Sequence, residues 1–225
     1  VNTNFEITAD SIKGQFIYAK PNFNYSDNTL FTSLKSSSSD FLSNSGYKTS
    51  ELGFSLGTKF EQFQNIYLSP EIDFLIEDLE TSSKASSTIK KQEGSYTDLY
   101  FNYSINQDLR DKKFRTEDGF VTTFSQELPI ISDNSELSNS FDITTFKKLS
   151  TRSDIVGKLS FFGKTITGLS DDVRISKRLY IPSYRLRGFA KGKVGPVENN
   201  DYIGGNHLTS VNMSATLPNI LEGLD

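Results

Sequence analysis

The chain has 225 residues, a hydrophobic fraction of 35% and a formal charge of −4, from 24 Lys and Arg against 28 Asp and Glu. So mild a charge argues against a nucleic-acid partner, and the absence of cysteine excludes disulfides, thiol nucleophiles and cysteine-based metal sites. One histidine is too few for a His-rich metal cluster, and no apolar run reaches the roughly 18 residues of a transmembrane helix.

Alternation of apolar and polar residues predicts about ten β-strands along the chain. The pattern is clearest in residues 99–106, where every odd position is large and apolar or aromatic. A period of two places such a set on one face of a strand. The predicted strands are 2–9, 12–19, 29–38, 47–58, 63–78, 95–107, 118–128, 137–148, 152–163 and 207–217. Several of them reach the roughly nine to eleven residues that a tilted transmembrane strand needs.

The connections between these strands differ in length. A tight polar turn at Asp10-Ser11 contrasts with the long polar loop 81–94, and the longest connection runs from about 164 to 206. Short turns on one side and long loops on the other are typical of an outer-membrane β-barrel, so we expect the first two on opposite sides. Aromatic residues near strand ends suit an interfacial girdle: Tyr18, Phe23, Tyr25, Phe60, Phe63 and Tyr67.

Two folds produce this alternation. In a transmembrane barrel the apolar set faces lipid and small polar and acidic residues line a wet lumen, whereas in a soluble sandwich or barrel the apolar set packs inward. Strand length and the aromatic positions favour the first. We therefore predict an all-β fold, a transmembrane antiparallel β-barrel domain over residues 1–225 with a long, lumen-directed loop at about 164–206.

The long connection carries the most specific pattern in the chain. Its three elements, in order, are Leu186-Arg187-Gly188-Phe189, Gly195-Pro196 and Gly204-Gly205-Asn206. Arg187 is a permanent charge with five N–H donors, and inside a barrel it would need a carboxylate on the wall. An ordinary surface loop with a solvated arginine is the alternative for an isolated Arg-Gly-Phe.

Together these elements resemble the sixth extracellular loop of the outer-membrane assembly and two-partner-secretion transporter superfamily, most closely its BamA-like insertases. That loop carries V-R-G-F, then G-P and G-G-N, so Leu stands here for Val. Lys20-Pro21-Asn22-Phe23 is similar to the family's N-P-x-F turn. The chain also resembles a family hairpin that carries D-x-R-D and P-T-x-G and precedes a strand that ends in proline. The matching segments are Asp108-Leu109-Arg110-Asp111, Thr116-Glu117-Asp118-Gly119 and Leu128-Pro129. Arg115 stands in place of the first proline.

The resemblance implies a sixteen-stranded barrel integral to the outer membrane of a Gram-negative bacterium, with about ten strands in this chain and both ends missing. It implies an outer-membrane protein insertase that is not an enzyme and has no cofactor or metal. An incoming strand would pair with a weak seam between first and last strands. The implied partners are the lipid bilayer, unfolded β-barrel clients, and the periplasmic lipoproteins and chaperones of an assembly complex, with no nucleic acid.

Within this resemblance, Arg187, Gly188 and Phe189 would brace the lumen, Gly195-Pro196 would turn the loop and Gly204-Gly205 would return it to the wall. The carboxylate partner of Arg187 stays open. The position where the family often has an acid is Ser214, so either the partner is absent from this chain or Asp73 or Glu77 substitutes. A two-partner-secretion type polypeptide transporter and a passive porin or receptor barrel are the alternative functions.

Enzymatic sites find little support. The adjacent acids Glu77-Asp78 and Asp171-Asp172 point to opposite faces if they lie in strands, so we expect solvated charges rather than a catalytic pair. Ser210 and His207 would need a nucleophile–base hydrogen bond oriented by a third group to act as an esterase. Gly204-Gly205 lacks the Lys-Ser/Thr that follows in a phosphate loop.

Overall fold

The computed structural model describes residues 1–8, 10–150, 155–190 and 192–216, without the side chain of Asn44. Its long strands are β1 (Asn2–Ile7), β2 (Ser11–Lys20), β3 (Thr29–Phe41), β4 (Tyr47–Phe63), β5 (Ile66–Thr81), β6 (Gly94–Asp108), β7 (Gly119–Ser132), β8 (Glu136–Lys148), β9 (Val156–Gly168) and β12 (His207–Thr216). A small hairpin, β10 (Val197–Glu198) and β11 (Asp201–Tyr202), precedes the last of them. The short helices are α1 (Leu42–Ser45), α2 (Ser87–Lys90) and a 3-10 turn (Phe23–Tyr25).

The ten long strands form one antiparallel sheet in the order β1-β2-β3-β4-β5-β6-β7-β8-β9-β12. Each predicted strand is present, and most extend a few residues further than predicted. The predicted positions 9, 152–154 and 217 lie outside the described residues. Among the described residues, no helix is long and apolar enough to cross a bilayer.

The two faces of the sheet decide between the two predicted folds. In β5, Phe74 is 39% exposed, whereas Leu75 and Glu77, on the opposite face of the strand, are buried. In β4, Leu52 is exposed and Ser55 is buried. The apolar set therefore points outward, as on a lipid-facing wall, and the polar set points toward the side that the long loop covers. The soluble alternative with an inward apolar face is wrong for this chain.

Strand order assigns every connection to one of two ends. The connections that follow β1, β3, β5, β7 and β9 share one end, which we call the loop end, and those that follow β2, β4, β6 and β8 share the turn end. The expectation that Asp10-Ser11 and loop 81–94 lie on opposite sides is wrong, because both connections follow an odd-numbered strand. Only residues 169–206 make the loop end markedly longer.

The aromatic residues predicted to form a girdle all lie at the turn end. Tyr18 lies two residues before the end of β2, and Phe23 and Tyr25 belong to the following 3-10 turn. Lysines accompany two of the rings: Lys20 Nζ lies 5.7 Å from the centre of Phe23, and Lys59 Nζ lies 5.3 Å from the centre of Tyr67. Rings with cationic neighbours suit the boundary between hydrocarbon and water.

The connection between β6 and β7, residues 109–118, is a charged turn. Arg110 donates to both carboxylate oxygens of Asp108, at 2.8 and 2.7 Å. The Asp111 carboxylate accepts from the backbone N–H groups of Glu117 and Asp118, at 3.0 and 3.2 Å. Arg115 has a φ of 53°, which proline cannot adopt, and this accounts for the departure from proline there.

The predicted strand end at Pro129 is an interruption instead. β7 continues to Ser132, and its register with β6 shifts between Leu99 and Tyr100, where Tyr100 lies opposite Pro129. Pairing of β7 with β8 stops at Glu127. Proline has no N–H to donate, so it is accommodated at a bulge beside an unpaired stretch rather than inside a regular ladder.

Gly119 closes the charged turn with a left-handed backbone, at a φ of 99°, and a Cβ there would lie 2.1 Å from the backbone oxygen of Leu109. We expect Gly119→Ala to lower the free energy of unfolding by about 1–3 kcal/mol, because both the torsion and the clash oppose it. Urea titration of the full-length protein in vesicles measures it. Gly192→Ala is the matched control, since its φ of 74° is also left-handed but nothing lies within 4 Å of the added Cβ. An equal loss in both variants would contradict the clash.

The charged turn also predicts a pH dependence. Hydrogen bonds from Lys148 and Lys112 lower the pKa of Glu117, and a hydrogen bond from Lys147 lowers that of Asp118. Groups with a lowered folded-state pKa stabilise the fold above their unfolded pKa, about 4, and this contribution is lost as the pH falls below it. Glu117→Gln with Asp118→Asn should therefore lower the urea midpoint at pH 7, and this difference should shrink as the pH falls below about 4. A difference that does not shrink with falling pH would contradict the assignment.

Candidate functional site

The connection between β9 and β12, residues 169–206, folds back over the polar face of the sheet, which is the lumen side. Its side chains reach β5, β6 and β8 through Arg174 and β8 again through Arg185. Near its end, the backbone N–H and C=O of Leu179 and Gly205 exchange hydrogen bonds of 2.8 and 2.9 Å. Arg174 and Arg185 thus fasten the loop to the inner wall, and the Leu179–Gly205 pair joins two parts of the loop to each other.

The strongest attachment is a fully buried guanidinium, that of Arg174. Its Nη2 lies 2.6 Å from Asp98 Oδ2, its Nη1 lies 3.1 Å from Glu77 Oε2 and its Nε lies 3.1 Å from Glu136 Oε1. The backbone N–H of Arg174 donates to the same Glu136 oxygen at 3.1 Å. One loop residue therefore joins strands β5, β6 and β8.

Two tyrosines complete this arrangement. The Tyr100 hydroxyl accepts from Arg174 Nη2 at 3.3 Å and donates to Glu136 Oε2 at 3.2 Å. The ring of Tyr96 lies 4.5 Å from the guanidinium carbon, close enough for a cation–π contact. We call Glu77, Tyr96, Asp98, Tyr100, Glu136 and Arg174 the Arg174 cluster.

Charge in the Arg174 cluster is unbalanced, since three carboxylates face one guanidinium. Burial disfavours the charged form of Arg174, but hydrogen bonds to Glu136 and Asp98 and their charges outweigh burial and raise its pKa. Lys177, whose Nζ lies 6.0 Å from the centre of the Tyr100 ring, adds positive charge nearby. Arg174 stays protonated, and the carboxylates depend on it.

An apolar contact lies beside the buried charge. Val173 and Ile175, the neighbours of Arg174, are both buried. Ile175 packs in a hydrophobic cluster with Tyr47, Leu79, Ala85 and Ile89. Its backbone N–H donates to Gln92 Oε1 at 2.7 Å. Consecutive residues of the loop are thus held by polar and by apolar contacts, both near the loop end of the barrel wall.

Arg185 forms a second attachment closer to the turn end. Its Nη2 lies 2.6 Å from Asp142 Oδ2, and its guanidinium carbon lies 4.0 Å from the centre of the Phe162 ring. Asn212 of β12 donates to the backbone oxygen of Arg185 at 2.9 Å. Burial disfavours the charge, but the hydrogen bond to Asp142 raises the pKa of Arg185 above its ordinary value.

The predicted brace residues lie next to this second attachment. Leu186 is half-buried, Arg187 and Gly188 are exposed, and Phe189 is 59% exposed. Arg187 and Ser214 line the same cavity of about 590 Å³, together with Asp142. Within the described ranges Arg187 makes no ion pair, so its role as a brace stays a prediction.

The two substitute partners considered for Arg187 are wrong in this structure. Asp73 pairs with Lys35 at 2.6 Å, and Glu77 pairs with Arg174. The expectation of solvated charge is also wrong for Glu77, which is fully buried, although its neighbour Asp78 is exposed. An inward acid on β5 does hold a loop arginine, but the arginine lies thirteen positions before the expected one.

The remaining motif residues lie where the loop returns to the sheet. The backbone oxygen of Pro196, which follows Gly195, accepts from Ile203 at 3.1 Å and closes the β10–β11 hairpin. Gly204 has a φ of 67°, and an added Cβ would lie 3.0 Å from the Tyr180 ring. After Gly205, the backbone oxygen of Asn206 accepts from Ile166 of β9 at 2.8 Å.

Sequence reasoning missed Arg174. It stands in Asp171-Asp172-Val173-Arg174, where no feature of the sequence distinguishes it from the other charged residues nearby. A signal existed in its partners, because Glu77 and Asp98 occupy inward positions of strands whose outward positions are apolar. As for the esterase alternative, His207 and Ser210 differ by three positions on one strand and therefore point to opposite faces.

Comparison with known proteins shows the family of this chain. Residues 1–222 match the model of the Omp85 superfamily domain. The chain belongs to the Omp85 superfamily. A crystal structure of BamA from Haemophilus ducreyi lacking POTRA domains 1–3 matches this Omp85 chain with a TM-score of 0.84 at 17% identity, over 98% of this chain and 48% of that one. No sequence among the curated proteins matches it.

The comparisons confirm the predicted family and fold. This Omp85 chain has the all-β fold of a transmembrane antiparallel β-barrel, with ten neighbouring strands of its wall in the described residues. It spans about half the length of the BamA chain it matches. At this level of identity the likeness concerns the fold.

Proposed function

We propose that this Omp85 chain is part of an insertase, integral to the cell outer membrane of a Gram-negative bacterium, that assembles β-barrel proteins into that membrane. The observation that carries the proposal is the attachment of loop 169–206 to the lumen wall through the Arg174 cluster. A wall braced from within can keep its shape while a neighbouring strand pair opens for a client, and the activity requires no bond to be made or broken.

In this proposal the loop acts as an internal strut. Arg174 holds it near the loop end, and Arg185 holds it lower on β8. Arg187, Gly188 and Phe189 extend the strut over the cavity that Asp142 and Ser214 line, and there they brace the lumen. Client strands would pair with an open strand edge of the complete barrel by backbone hydrogen bonds.

The proposed partners are the outer-membrane lipid bilayer, unfolded β-barrel clients, and the periplasmic lipoproteins and chaperones of an assembly complex. The attached loop argues against a passive porin, because a segment that crosses the lumen on buried ion pairs obstructs diffusion. A two-partner-secretion transporter would share the family and the loop, and the experiment below separates it from an insertase.

Reconstitution of the full-length protein in vesicles tests the proposal. We expect these vesicles to speed the folding of a urea-unfolded outer-membrane β-barrel, measured by its heat-modifiable mobility on gels, relative to vesicles that hold a porin. A client that becomes protease-protected inside the vesicle without folding would indicate secretion instead. Equal folding rates in both kinds of vesicle would contradict the insertase.

Arg187→Ala tests the brace separately. If Arg187 braces the lumen, the variant protein should fold normally in vesicles yet assemble clients several-fold more slowly, because the strut loses the charged side chain that lines the cavity. Arg187→Lys is the matched control, since it keeps the charge. An unchanged assembly rate for Arg187→Ala would contradict the brace and leave the Arg174 cluster as the loop's attachment.

A further inference from the structure

Five polar residues form a continuous row across the outer side of five neighbouring strands. By register, Tyr103 of β6 lies opposite Gln126 of β7, and Gln126 lies opposite Asn139 of β8. Asn139 lies opposite Thr165 of β9, which in turn lies opposite His207 of β12. We call these five residues the polar row.

The polar row belongs to the lipid-facing side. The residues next to it in sequence, Asn102, Glu127 and Ser138, line a cavity on the lumen side, so the row residues point the other way. On β6, β7 and β8, the outer positions two residues away on both sides of the row are apolar. Those flanking residues are Phe101, Leu128 and Leu137 toward the loop end, and Ile105, Phe124 and Phe141 toward the turn end.

Hydrogen bonds join three members of the polar row. The Tyr103 hydroxyl donates to Gln126 Oε1 at 2.9 Å, and Gln126 Nε2 donates to Asn139 Oδ1 at 2.5 Å. Both amide oxygens are therefore in use as acceptors. The amide nitrogen of Asn139 has no acceptor among the described residues, and an unmatched N–H is costly in hydrocarbon.

The row runs diagonally across the strands, from near the turn end to the loop end. On β5 the position opposite Tyr103 is Pro70, four residues from the turn-end start of that strand at Ile66. At the other side, His207 is the first residue of β12 at the loop end. Gln126 and Asn139 lie between these limits, on the outer face that they share with Phe124 and Phe141. Where that face meets lipid tails, which offer no hydrogen-bond acceptor, the missing acceptor must come from protein.

We propose that the polar row is a lateral contact site at which a second copy of this chain binds in the membrane. A primary amide carries both donors and an acceptor with two lone pairs, so it is complementary to itself. A two-fold axis along the membrane normal would cross the two diagonal rows and place Asn139 of each copy against that of the other. The flanking rings of Phe124 and Phe141 would pack around this polar centre. The proposal rests on the fold and holds whether or not the protein is an insertase.

Cross-linking of single-cysteine variants tests it, because this chain contains no cysteine. In the full-length protein, with any cysteine elsewhere replaced by serine, Thr165→Cys probes the row while leaving the amides in place. A short bis-maleimide in membranes should yield several-fold more of a species of twice the monomer mass than Thr32→Cys, a matched substitution on the outer face of β3. Equal yields, or an adduct of another mass, would overturn the proposal.

Asn139→Leu in the Thr165→Cys protein separates a specific contact from crowding. The leucine variant should fold normally by heat-modifiable mobility but lose most of the dimeric product, because the amide pair is gone. A yield that does not change would show that the polar row is not the contact, and it would overturn the proposal as well.

Discussion

Arg174→Met is expected to be the most damaging single substitution in the lumen, lowering the free energy of unfolding by about 3–5 kcal/mol. The reason is that three carboxylates remain buried after the guanidinium is removed. Glu77 and Asp98 are fully buried and Glu136 nearly so, and methionine would leave their charges without the ion-pair partner that joins them, with only Lys177 nearby. Urea titration of the full-length protein in vesicles measures the loss, and the part of the loop around residue 174 should detach from the wall at the same time.

Two further variants isolate the charge effect. Arg178→Met is the matched control in the same loop, because Arg178 pairs with the exposed Asp172 at 2.6 Å and should matter far less. Adding Glu77→Gln and Glu136→Gln to Arg174→Met should recover part of the lost stability, since fewer unpaired charges remain. A loss no larger than that of Arg178→Met, or no recovery, would contradict the role of the cluster.

Phe74→Arg is the second large effect that we expect, a loss of about 2–4 kcal/mol of folding free energy in a bilayer. Phe74 lies on the outer face of β5, opposite Phe54 on one side and Leu99 on the other. If that face meets lipid, a guanidinium there must enter hydrocarbon. If the face met water, the same change would stabilise or leave the protein unaffected.

Folding into vesicles over a range of urea concentrations measures the Phe74→Arg effect. Phe114→Arg is the matched control, because Phe114 is 80% exposed in the charged turn between β6 and β7, outside the strands. We expect little change from it. Similar losses in both variants would mean that the outer face of the sheet is not buried in lipid.

Much of the fold is readable from the sequence because a β-strand repeats every two residues. Alternation of apolar and polar residues, as in residues 99–106, identified every long strand. The apolar residues of these strands were correctly expected to face lipid. The errors lie where the pairing of neighbouring strands overrides a rule that considers one strand alone. Pro129 was expected to end a strand, yet β7 continues past it because the partner strand shifts register there. Connection length alone also could not show which end a turn occupies.

The candidate site was harder to predict, for a physical reason. The partners of Arg174 lie 97, 76 and 38 residues away in the chain, so no local pattern contains the site. The inward placement of Glu77 was predictable from alternation. Which of several loop arginines would meet it depends on the path of loop 169–206, and the L-R-G-F motif drew attention to Arg187 instead.

Thiol labelling can show whether loop 169–206 is held inside the lumen at Arg174. In the full-length protein with no other cysteine, Ser176→Cys and Ser183→Cys introduce the same group at two points of one loop. The Ser176 hydroxyl is buried and Ser183 is exposed. A polar maleimide should label Ser183→Cys quickly and Ser176→Cys slowly, until Arg174→Met frees the latter. Equally fast labelling of both in the protein that retains Arg174 would contradict this attachment.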